Sequence, residues 1–179
     1  MLHTTIADFR AELDDIGQRI TRGAIAGIVA GLVFLIATMG YVTTKGKPAV
    51  APMIDISTIF HGQDQPVPNS DNVVVGLVTH LTLSIAFGVV FGLLVLLLPR
   101  RALIVLAAGV VYGLVLYVVN FQILGRTLFP LFTDPNGPDQ GFEVFIHAVF
   151  GLVLAPFLLP RPQPAEMRVR EADLVTTPR

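Results

Sequence analysis

Two histidines, His80 and His147, stand inside otherwise apolar runs, "VTHLTLSIAFGVVFG" and "FEVFIHAVFGLVLAP". An imidazole in such surroundings serves as a metal ligand, a haem ligand or a hydrogen-bonding group, because lipid offers it no partner. Glu143 precedes His147 by four residues, the spacing that puts both side chains on one helix face. With His80 they make a candidate set for zinc, copper or iron, to which His61 could add a fourth donor. Bis-imidazole ligation of a haem by His80 and His147 is a second expectation, with Ser84 and Gly151, one turn from each histidine, leaving room for the macrocycle. A third is a small-solute or transport site lined by His80, Asn120, His147 and Tyr117. Asn120 suits a hydrogen bond to a ligating side chain better than ligation itself.

The plainest expectation is that these polar residues hydrogen-bond across helices and fix their register, at about 1 kcal/mol each. The sequence favours this reading, which implies an accessory, scaffold or regulatory role in a membrane assembly, built as a homo-oligomer or with other proteins. No Ser or Cys nucleophile is paired with a base, and no glycine loop with a lysine is set to cradle phosphate, so no catalytic residue and no nucleic-acid partner is expected.

The elements that must position these residues follow from composition. The 179 residues are 53% hydrophobic and only 14% charged, at a mean hydropathy of +0.71, more apolar surface than one soluble core of this size can hide. Four runs are long enough to cross a hydrocarbon layer of about 30 Å as helices: Ala24 to Val42, Val73 to Leu98, Ala102 to Leu124 and Phe142 to Leu159. The expected fold is therefore an all-α integral membrane protein, four transmembrane helices in an up-down bundle over residues 23–160. The absence of Cys removes disulfides and thiolate metal sites, and the absence of Trp leaves a thin aromatic belt.

Charge gives the orientation. Nine of the twelve basic residues lie before the first run, in the turn between the second and third, or after the fourth, whereas Lys45, Lys47 and Arg126 alone lie in the other two connections. The positive-inside rule puts both termini in the cytoplasm, and the short loops suit a bacterial inner membrane. The first run has no small-x-small cleavage site and is expected to stay as a membrane helix. Before it, Leu2, Ile6, Phe9, Leu13, Ile16 and Ile20 recur every three or four residues, the stripe of an amphipathic cytoplasmic helix over residues 1–22, capped at Thr5. The proline-rich tail, residues 161–179, is expected to be disordered.

Small residues at four-residue intervals mark the faces that pack. They are Gly23, Gly27 and Gly31 in the first run, and Ser84, Gly88 and Gly92 in the second. The third has Gly109 and Gly113, and the fourth has Gly151 and Ala155. His80 and His147 extend two of these stripes, and Asn120 falls two turns beyond Gly113. A helical hairpin repeated once would give this order. Counted from the loop ends of the runs His80 and His147 share a height; counted from the other ends they differ by about 9 Å.

Overall fold

The computed structural model describes residues 6–62, 65–99 and 101–159, the first seven of these by backbone alone. The cap expected at Thr5 and the tail beyond Pro160 lie outside the described residues. The described chain is all helical, and four of its helical stretches are long and apolar enough to cross a membrane: Leu13–Thr44, Ser70–Leu97, Ala102–Thr127 and Gln140–Leu158.

Helix α1 (Ile6–Thr44) runs without a break through residue 22, where the sequence suggests a boundary between a surface helix and the first span. The reason is local: Gly17 and Gly23 weaken a helix by about 1 kcal/mol each but do not end one, and there is no proline. It ends where Gly46 adopts a left-handed φ of 75° and Pro48 follows. The connection that follows forms helix α2 (Ala51–His61), started by Pro52 and stopped by Gly62 at φ 60°. Ser57 and Thr58, both buried, return their hydroxyl protons to the Ile54 and Asp55 carbonyls at 2.7 and 2.6 Å. That lets polar residues line the inner face of a short helix.

Helix α3 (Ser70–Leu94) starts at Asn69, whose side chain accepts from the Asn72 amide at 2.7 Å, and closes in a 3-10 turn before Pro99. Helix α4 (Ala102–Tyr117) passes into seven π-helical residues, Val118–Leu124, then one α turn, α5 (Gly125–Thr127). After a 3-10 turn at Pro130–Thr133 comes α6 (Gln140–Leu154), ended by a 3-10 turn over Ala155–Leu158.

The small residues sit where helix backbones touch, α1 against α3 and α4 against α6. Gly23 and Gly27 lie directly against the Gly88 and Ser84 carbonyls, and Gly92 meets the Arg19 carbonyl, so α1 and α3 run in opposite directions at backbone contact. Gly109 meets the Gly151 carbonyl and the Ala155 methyl, and Gly113 meets the His147 carbonyl, giving α4 and α6 the same geometry. The sequence contains a third contact of this kind that its spacing does not announce: Gly76 of α3 seats the backbone of Met53 in α2.

The two hairpins join differently on their two sides. Along α1 and α6, the Arg19 and Arg22 guanidinium groups donate to the Leu158 and Leu159 carbonyls at 3.0 Å, and Tyr41 stacks on Phe142 at 4.0 Å. Helices α3 and α4, though joined by the shortest turn, touch through side chains: Tyr112 donates to the Phe87 carbonyl at 2.9 Å and stacks on Phe91. A repeated hairpin related by a two-fold axis would make these two contacts alike, and they differ. Phe91, Val105, Phe150, Leu154 and Leu158 fill the core between the helices.

Asp139 caps α6 by accepting from the Phe142 amide at 3.0 Å, and the Tyr41 hydroxyl donates to it at 2.7 Å. The Phe142 amide, then Tyr41, hold its carboxyl below the usual range. A lowered folded-state pKa means that Asp139 stabilises the fold at neutral pH and loses that contribution as pH falls from its ordinary value of about 4 through the lowered folded-state value. Asp139→Ala is expected to unfold at a lower temperature at pH 7, with the gap to the parent protein closing toward pH 3. A thermal-unfolding series in mild detergent checks this.

Candidate functional site

At the α2 end the helices part around a cavity of about 860 Å³. Its wall takes Phe34, Thr38 and Tyr41 from α1, Ile56 and Ile59 from α2, and Leu83 and Phe87 from α3. Asn120 and Phe121 of the π-helical stretch, the 129–139 connection, and Glu143, His147 and Phe150 of α6 complete it.

The two histidines meet at one level, as the count from the loop ends expects. Both pack on the ring of Phe34, at centroid distances of 5.4 Å for His80 and 5.0 Å for His147. Each is oriented by a backbone carbonyl, which can only accept. His80 donates from Nε2 to the Gly31 oxygen at 2.9 Å, and His147 from Nδ1 to the Glu143 oxygen at 2.7 Å. In the neutral ring this leaves Nδ1 of His80 and Nε2 of His147 as acceptors.

The expected ligand sets do not form. Among the described residues no three His, Cys, Asp or Glu side chains converge as a metal-binding group. Glu143 and His147 do come together, the carboxyl 3.6 Å from Nδ1, but that nitrogen is committed to the helix carbonyl. His61 donates to the Asn72 side chain at 3.1 Å, away from the cavity wall. A haem between His80 and His147 fits no better. Phe34 occupies the space beside both rings, and Nε2 of His80 is already bonded.

Tyr117, expected in the site, does not line the cavity. Its hydroxyl donates to Gln140 at 3.0 Å and accepts from Gln122 at 2.7 Å, while Gln140 donates to the Phe132 carbonyl at 2.8 Å. This network ties the π-helical stretch to α6 and to the connection above it. Asn120, expected on the packed face of the third span, is half-buried and lines the cavity flank instead. The π turn explains the shift: the wider i→i+5 turn adds a residue, so the buried series Gly109, Gly113, Leu116 continues at Phe121 and Gly125.

Around the mouth stand Lys45, Lys47, Asp55, Asp134 and Asp139. Lys47 donates to the Asn136 carbonyl at 3.1 Å, and Lys45 lies 5.2 Å over the Tyr41 ring. Burial raises the Asp55 carboxyl above the usual carboxylate range, and the Lys47 ammonium draws it part of the way back.

No family model, curated protein or solved structure matches the chain. The fold and the cavity thus define the class to which it can be assigned: an all-helical protein with four membrane-length helices, compatible with a multi-pass membrane protein.

Proposed function

We propose that this protein is a multi-pass membrane protein that receives a small, largely apolar molecule in the cavity at its α2 end. The observation that carries the reading is the cavity, about 860 Å³ with mostly apolar walls and a few polar groups at its base. Small-molecule pockets share that size and make-up. A bundle whose task is only to scaffold a larger assembly gains nothing from such a space, since unfilled volume forfeits packing contacts. Binding or carriage is therefore preferred over the accessory role that the sequence by itself favours, and over catalysis, for which no nucleophile and base are paired in the wall.

The four long helices form an up-down bundle in a bacterial inner membrane, with lipid against exposed apolar side chains such as Ile36, Val74, Leu103 and Phe145. Arg19, Arg22 and Arg101 lie at one end and favour the cytoplasm there, which puts the cavity mouth on the outer side.

The test is saturable binding of a neutral apolar fluorophore, N-phenyl-1-naphthylamine, to the protein in nanodiscs of zwitterionic lipid, measured against empty nanodiscs. Asn120→Trp, which puts a large ring into the cavity from a half-buried position, should abolish the saturable signal while the protein stays folded. Absence of saturable binding to the parent protein, or binding unchanged by Asn120→Trp, would overturn the reading.

A further inference from the structure

Glu143 has 5% of its surface exposed, yet among the described residues no hydrogen bond reaches its carboxyl. Nδ1 of His147 lies 3.6 Å from the carboxyl but points its proton at the backbone oxygen of Glu143 instead. Among the described residues no fully occluded side-chain oxygen or nitrogen lacks a hydrogen-bond partner, so the carboxyl oxygens must touch the cavity that Glu143 lines. A buried carboxyl without a donor costs free energy that a bound donor would return.

Acceptors and carboxyls outnumber cations around the cavity. Nε2 of His147 and Nδ1 of His80 offer lone pairs, and four carboxyls against two ammonium groups line the cavity. Both lysines are held at the mouth, one on the Asn136 carbonyl and one over Tyr41. Asp55 and Asp139 line the same cavity as Glu143. An anionic head, or one that only accepts hydrogen bonds, meets carboxyls and lone pairs here. A cation that carries N–H groups meets complementary charge and acceptors.

We propose that the cavity selects a lipophilic amine, its apolar body against Phe34, Phe87 and Phe150 and its protonated nitrogen donating to the Glu143 carboxyl. This rests on the binding role proposed above and names the class of molecule bound.

The experiment uses three probes with one dansyl body on a five- or six-atom tether: a primary amine, its N-acetyl derivative and a carboxylate. Each is titrated by fluorescence into the full chain in phosphatidylcholine nanodiscs. The amine should bind saturably and at least tenfold more tightly than either analogue. Glu143→Gln should lower its affinity at least tenfold, with Glu143→Asp recovering part of the loss and neither variant moving the N-acetyl probe. If Glu143→Gln fails to fold, the head-group series on the parent protein decides alone. Equal binding of all three probes would overturn the amine assignment and leave the cavity reading standing. Saturable binding of none would overturn both.

Discussion

Replacing Gly151 by alanine is expected to cost this protein its fold. A methyl group there would occupy the position of the Gly109 carbonyl oxygen, with the Gly113 amide behind it. The obstacle is backbone in the middle of two helices, so it cannot turn aside as a side chain would. The α4 and α6 helices must separate along their whole contact, at a cost above about 3 kcal/mol, the upper end for overpacking. Gly76→Ala should do the same to the seating of α2 on α3, where the methyl meets the Met53 carbonyl. Gly40→Ala is the control: nothing lies within 4 Å of that position, and alanine is the better helix former by about 1 kcal/mol. Denaturation by SDS from mild detergent should show collapse of the first two variants and a small gain for the third. Parent-like stability of Gly151→Ala would mean that the helices do not touch at backbone distance.

The second large effect is expected at Phe34. Its ring lies against His80, His147 and Phe150, the last at 6.3 Å and nearly edge-on. Phe34→Ala removes the contact shared by α1, α3 and α6 and merges its volume with the cavity, so the destabilisation should be about 3 kcal/mol. The same change should widen what the cavity accepts, with bulkier apolar bodies gaining relative to small ones. The SDS transition measures the first effect. Competition between two probes of unlike size for the parent and variant proteins measures the second. A stability loss without any change in relative affinity would place Phe34 in the core and outside the ligand's space.

Much of this was legible in the residues. Three of the four apolar runs match membrane-length helices to within a few residues, and the first lies inside one that begins eleven residues earlier, at Leu13, because length and hydropathy alone decide which segments can span. The glycine stripes mark faces at which helix backbones touch, since only small residues allow that approach, but which stripe meets which is not written in the spacing. His80 and His147 were visible as polar residues on those stripes. Their partners were not: each bonds a backbone carbonyl, and carbonyls leave no mark in a sequence. Neither the seat of α2 at Gly76 nor the π turn that turns Asn120 to the cavity flank follows from spacing, because both depend on contacts between segments far apart in the chain.

What the sequence determined by itself was the set of apolar helices, the small faces on which they meet and the polar residues that those faces carry. Local periodicity and side-chain size are sufficient for these. The tertiary structure decided that Glu143, His147, His80 and Asn120 line one open space. That depends on where Phe34 sits and on which carbonyl each imidazole meets, and these are properties of packing in three dimensions.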